Sequence, residues 1–253
     1  MLSEQYGNKL AVIYVESQGL SGDEAEAYAY GKRWMGRDVV WTTERPFDTG
    51  SRGLPNFALL SNEGKVLLKG NPLSRKWEIV GAIDQEIARA KKGPQGTPKS
   101  LRKAWADFEK GKYAAALKAV QKVAGYGRKD AAAAERILAI FEGRILSKIR
   151  RAGWMIENGY YRRAGEMTAS LAKGIRGLDQ HEAALKELKK KLASPDLKTE
   201  IAAARAFEKI EKKAFSDGLG RKVVEQLEKL VEEKMETKAA ERARHLINVA
   251  GGS

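Results

Sequence analysis

The spacing of apolar and polar positions changes character near residue 95. Ahead of that point, short apolar runs alternate with helical stretches. Leu10-Ala11-Val12-Ile13-Tyr14-Val15 is continuous and rich in β-branched residues, as expected of a parallel strand covered on both faces. Ser21-Gly22-Asp23-Glu24 has capping-box spacing and predicts a helix running to about Met35. Asp38-Val39-Val40-Trp41-Thr42 predicts a second strand. Gly53-Leu54-Pro55 leads into a third strand from Asn56 to Leu60, and a turn through Asn62-Glu63-Gly64 returns a fourth through Leu68. From Ser74 onward, Val80, Ile83, Ile87 and Ala90 recur at helical spacing and predict one stripe facing a sheet.

Glycine and proline interrupt the pattern at Lys91-Lys92-Gly93-Pro94-Gln95-Gly96-Thr97-Pro98, with Thr97 placed as an N-cap and Pro98 as a first helical residue. The chain therefore divides into an α/β part at 1–92, a linker at 93–98 and an all-α part at 99–253. In the helical part, Trp105, Phe108, Gly111, Tyr113, Ala116, Leu117 and Val120 suit two short antiparallel helices joined at Gly111-Lys112. Ile137, Phe141, Ile145, Ile149, Ala152 and Ile156 trace a stripe on a longer helix. Trp154, Met155, the turn Asn158-Gly159-Tyr160-Tyr161, Ala164, Met167 and Leu171 suggest a second pair. Val223, Val224, Leu227, Leu230 and Val231, followed by Thr237, Ala239, Ala240, Ala243 and Leu246, suggest a third. Another helix is expected from Ser194-Pro195, with Leu197, Ile201 and Ala204 inward. Trp105, Tyr113, Trp154 and Tyr160 read as packing positions.

The element order β-α-β, hairpin, α, together with Gly53-Leu54-Pro55 and the turn at Gly64-Lys65, resembles the back half of a thioredoxin-like domain of the TlpA or redoxin type. That likeness covers roughly residues 3–90. It implies an incomplete thioredoxin-like sheet with flanking helices, a cis Leu54-Pro55 bond, and a loop at Gly53, Leu54 and Pro55 that receives an extended peptide. A proline entering a strand is also an ordinary structural stop. Met1 to Gly7 resembles the end of the family's active-site helix, which implies either that the Cys-x-x-Cys pair and its strand lie upstream of Met1 or that this is a short form whose sheet is rebuilt without them. Without that strand, the strands at Leu10–Val15 and Asn56–Leu60 either close on each other or are covered by another segment. The helical pairs resemble degenerate tetratricopeptide repeats, which implies an antiparallel helical array presenting a surface to proteins or peptides.

Charge and chemistry narrow the function classes. The 253 residues include no cysteine and two histidines, His181 and His245. Thiolate chemistry and cysteine-ligated metals are thereby excluded for the sequence as written, and neither a metal site nor a cofactor is expected. Phosphate-loop, nucleophile-elbow and His-Glu-x-x-His patterns are missing as well. Nearly all of the net charge of +14 falls after residue 95, which favours acidic partners or nucleic acid. Arg144, Lys148 and Arg151 share a helix face near Arg162 and Arg163, and these five are the candidate anion-binding residues, against a reading as solvated helix faces interspersed with glutamates.

No apolar run is long enough to span a bilayer, so no membrane insertion is expected. The compartment reads as cytoplasmic, or periplasmic if a signal and the cysteine segment precede Met1. Three functions follow as expectations: a non-catalytic protein-interaction module, a thiol-disulfide oxidoreductase with upstream cysteines, or a nucleic-acid-binding protein.

Overall fold

A computed structural model describes residues 2–36, 39–44, 53–94, 96–125 and 129–251. Met1, Asp38 and Gln95, which enter the sequence expectations, lie outside these residues. The fold is mostly helical with two small sheets. In order it runs α1 (Leu2–Tyr6), β1 (Val12–Val15), α2 (Gly22–Gly31), β2 (Val39–Thr42), β3 (Phe57–Leu60), β4 (Val66–Gly70), α3 (Lys76–Ala90), α4 (Lys99–Glu109), α5 (Tyr113–Ala124), α6 (Ala131–Glu157), α7 (Tyr161–Gly174), α8 (Asp179–Leu192), α9 (Lys198–Asp217), α10 (Arg221–Glu233) and α11 (Lys238–Gly251). Two compact units emerge. One comprises Met1–Pro46, Ala152–Glu166 and Leu188–Ser253, and the other Phe47–Arg151 and Met167–Glu187. The joint at 93–98 lies within the second unit, between α3 and α4.

In the first unit, α2 opens with the expected capping box, since Ser21 and Glu24 exchange side-chain and backbone hydrogen bonds. Its buried face joins a core from α9, α10 and α11 built on Tyr30, Phe207, Leu227, Leu230, Leu246 and Val249. Tyr30 stacks on Phe215 with ring centroids 6.1 Å apart. Ser194 caps a 3-10 turn at Pro195–Leu197 by accepting from the Asp196 amide, and α9 follows. Strands β1 and β2 pair in parallel, Ile13 opposite Val40 and Tyr14 opposite Trp41. Tyr14 stacks on Trp34 at 5.2 Å. The expectation that this strand is covered on both faces is corrected: Ile13 is 58% and Val40 57% exposed. The two-residue period of a strand puts Val12 and Tyr14 on the covered side and leaves Ile13 and Val15 opposite.

The second unit holds β3 and β4 as an antiparallel hairpin with an irregularity between Leu59 and Leu60. Among the described residues, the four strands form two separate two-stranded sheets rather than one. Two arginines tie the hairpin to α3. At one end Arg75 donates to the Lys69 carbonyl at 2.6 Å and to Glu78. At the other, Arg89 donates to Asn62 Oδ1 at 2.9 Å, to Glu63 at 3.2 Å and to Glu86 at 2.7 Å, while Glu86 accepts from the Asn62 amide at 3.1 Å. Helix α3 begins at Lys76 rather than Ser74, and its buried positions are Ile79 and Ile83. Ile83 of the sequence stripe is buried as expected, Ile79 joins it from outside the stripe, and Val80, Ile87 and Ala90 are only partly covered. Thr97 does not cap α4, because its hydroxyl donates to the Pro94 carbonyl at 2.7 Å and Pro98 takes the N-cap position.

Helices α4 and α5 form the expected pair across Gly111, whose φ of +80° favours glycine. Phe108 stacks face to face on Phe141 of α6 at 3.9 Å, and Trp105 tilts against the same ring at 5.2 Å. The Trp105 indole donates to the Ala90 carbonyl at 2.8 Å, fastening the end of α3 to α4. Gly174 is the closest approach: a methyl there would run into the Gly111 carbonyl oxygen and the Tyr113 ring.

Two outcomes are predicted. Gly174→Ala forces the end of α7 off the α4–α5 joint and destabilises by roughly 1–3 kcal/mol, read as a lower denaturation midpoint at unchanged m-value. Glu63 and Glu86 are held below the ordinary glutamate value of 4.5, first by their hydrogen bonds with Arg89. Their contribution to stability is complete above that value and is lost as pH falls through their lowered ones. Glu86→Gln should therefore flatten the acid limb of a stability-against-pH curve while leaving its neutral shape unchanged; an unaltered acid limb contradicts this.

Candidate functional site

Gly53, Leu54 and Pro55 lie together on the surface immediately before β3, with Leu54 59% exposed. The Leu54–Pro55 peptide bond is cis. Asn56 turns its side chain back to accept from the Phe57 amide at 2.9 Å, and β3 then pairs with β4 along one edge. Among the described residues its other edge has no strand partner. Leu60, Val66 and Leu67 are exposed on the same hairpin, and Leu73 and Trp77 stand out at the start of α3. These exposed side chains are apolar and stand beside the backbone groups of β3.

The five candidate cations differ in exposure and in their partners. Lys148 and Arg151 are exposed on α6. Arg144 donates to Glu109 at 2.8 Å and lies 5.0 Å over the Trp105 ring, so it joins α6 to α4. Arg162 bridges Glu166 at 2.6 Å and Glu208 at 2.5 Å inside a cleft of about 310 Å3 lined also by Tyr161, Ile201 and Arg205. That cleft neutralises its own charge. Arg163 packs 5.8 Å from the Tyr160 ring.

Tyr160 is the centre of a stack in the first unit. Arg242 lies 4.3 Å from the Tyr160 ring and 4.3 Å from the Phe207 ring, and it donates to Glu211 at 2.7 Å. Burial raises the Glu211 carboxyl above its ordinary range, although Arg242 pulls the other way. Burial, with Glu200 alongside, pushes the neighbouring Tyr161 hydroxyl up to about 12. Trp154 extends the stack on Tyr160 at 5.6 Å, and it is 53% exposed, which corrects its reading as a packing position. Trp105 and Tyr113 are buried as expected. The two histidines are each paired, His181 with Glu142 at 2.6 Å and His245 with Glu26 at 2.8 Å.

Sequence reasoning missed one further feature. A cleft of about 570 Å3 at the α3–α4 joint is lined by Arg89, Lys92, Gly93, Pro94, Gly96, Thr97 and Arg102. Its signal was visible as cations on both sides of a Gly-Pro segment, which had been read only as a linker. Charge also divides unevenly between the units: the second holds 25 Lys+Arg against 13 Asp+Glu, whereas the first holds 22 against 20.

Comparison with protein-family models, with curated proteins and with solved structures found no match for this chain.

The Arg242 stack makes a specific prediction. Arg242→Ala leaves the Glu211 carboxylate without its partner and opens the gap between Tyr160 and Phe207, costing roughly 3 kcal/mol. Arg242→Lys keeps the charge but loses planar stacking and should fall between that variant and the unmodified chain. Equal stability of the lysine and alanine variants in urea unfolding would show that packing on the rings, not charge, is what matters.

Proposed function

We propose that this chain is a non-catalytic protein-interaction module whose recognition surface is the outer edge of β3 with the Gly53-Leu54-Pro55 loop beside it. The observation that carries the reading is an edge strand that, among the described residues, is paired on one side only, flanked by exposed Leu54, Leu60 and Val66. An unpaired edge offers main-chain donors and acceptors to another extended segment, and neighbouring apolar side chains supply contact area. The order of Pro55, β3, turn, β4 and α3 supports a thioredoxin-like hairpin. The short antiparallel pairs α4–α5 and α10–α11 support tetratricopeptide-like packing. Protein partners fit this surface better than nucleic acid does, because the apolar residues cluster on it while Arg144 and Arg162 are engaged in structural pairs.

A peptide of alternating valine and threonine, fluorescently labelled, is the direct probe. Leu54→Lys and Leu60→Lys place charge on the edge, where lysine opposes strand addition, and each should weaken binding by roughly fivefold or more without lowering thermal stability. Binding that is unmoved by both substitutions would place the recognition surface elsewhere.

A further inference from the structure

We propose that the cleft at the α3–α4 joint is a binding site for the phosphate group of a small phosphorylated molecule. This site is separate from the β3 edge and independent of its role. Three cations line it, Arg89 at the end of α3, Lys92 just beyond it and Arg102 in α4, and no carboxylate is among the lining residues. A dianion entering the cleft therefore meets the charges of Lys92 and Arg102 with no carboxylate among the lining residues, Arg89 being already paired with Glu63 and Glu86.

The three cations are not equivalent. Arg89 is already held by Glu63, Glu86 and Asn62 on its hairpin side, so it forms a fixed wall. Lys92 and Arg102 are exposed, with no carboxylate partner among the described residues, and supply the free charge. Gly93 and Gly96, both with positive φ, bring backbone to the cleft surface without side chains that would fill it. Gly93 has no alternative: a methyl there would lie 2.8 Å from the Thr97 hydroxyl and 3.1 Å from the Trp105 ring. Trp105 is anchored to the Ala90 carbonyl and Thr97 to the Pro94 carbonyl beside it.

The contrast with the other cleft is instructive. There Arg162 faces Glu166 and Glu208 in the same lining, and the charges cancel. The α3–α4 cleft has the size of a small-ligand site and lies in the unit that carries most of the excess positive charge.

The test titrates the full chain with sodium pyrophosphate and, separately, inorganic phosphate, following amide chemical shifts and heat. Saturable binding is expected, with the largest shifts at Gly93, Gly96 and Thr97. Lys92→Gln and Arg102→Gln should each weaken it about tenfold, as loss of a charge-assisted hydrogen bond does. Lys118→Gln, the same charge change at an exposed position on α5, should alter it less than about twofold. The proposal is overturned if Lys118→Gln weakens binding as much as Arg102→Gln, if sodium chloride at matched ionic strength shifts the same amides, or if a single-stranded RNA oligonucleotide binds while pyrophosphate and phosphate do not.

Discussion

An arginine placed over an aromatic ring and closed by a glutamate is the interaction that recurs in both units. In one unit Arg242 of α11 sits between Tyr160 and Phe207 and pairs with Glu211 of α9. In the other, Arg144 of α6 covers Trp105 and pairs with Glu109 of α4. A guanidinium is planar and weakly hydrated, so it can leave water for a ring face at small cost provided its edge finds a carboxylate. Helix crossings that a purely apolar contact would leave free to slide acquire a fixed register this way. The same use removes cations from the pool available to an outside anion, which is why a count of basic residues overstates what the surface offers.

Most of the helical layout was legible in the sequence, and the reason is periodicity. The stripe Ile137, Phe141, Ile145, Ile149, Ala152 and Ile156 is buried throughout, and Val223, Leu227 and Leu230 face the core of α10. Errors arose where period alone cannot decide. On α3 the stripe takes Val80 where its neighbour Ile79 is the buried residue, because the two are adjacent and equally apolar, while Ile83 is buried as expected. On α6, helical spacing places Trp154 among the packing positions, yet it stacks on Tyr160 and stays 53% exposed. Linear spacing groups the candidate cations, whereas the partners that Arg144 and Arg162 find on other helices, Glu109 and Glu208, are brought to them only by the fold. The proline loop was readable because proline and glycine restrict the backbone locally, whereas the cleft at α3–α4 needed the folded path to bring Arg102 opposite Lys92.

Two-stranded sheets gain little stability by themselves, and the two here are supported by different means. The parallel pair is backed by an aromatic stack, Tyr14 on Trp34. The hairpin is fastened by polar clamps at each end, Arg75 onto the Lys69 carbonyl and Arg89 onto the turn at Asn62 and Glu63. Clamping by hydrogen bonds leaves the hairpin's leucines and valines uncommitted, so a surface rich in apolar side chains can coexist with a defined hairpin position.

The core that gathers Tyr30 with Phe207, Leu227 and Leu246 joins residues from near the two ends of the chain, and the Glu26–His245 contact spans 219 positions. Closing so long a loop costs chain entropy before any contact is made. During synthesis, α2 leaves the ribosome long before α11 exists, with its buried face of Ala25, Ala29 and Tyr30 still uncovered. Phe47–Arg151 and Met167–Glu187, by contrast, form a compact unit whose last residue is 187. The path of the chain thus sets an order of availability: the second unit is fully synthesised once residue 187 is made, whereas the buried face of α2 waits for α11.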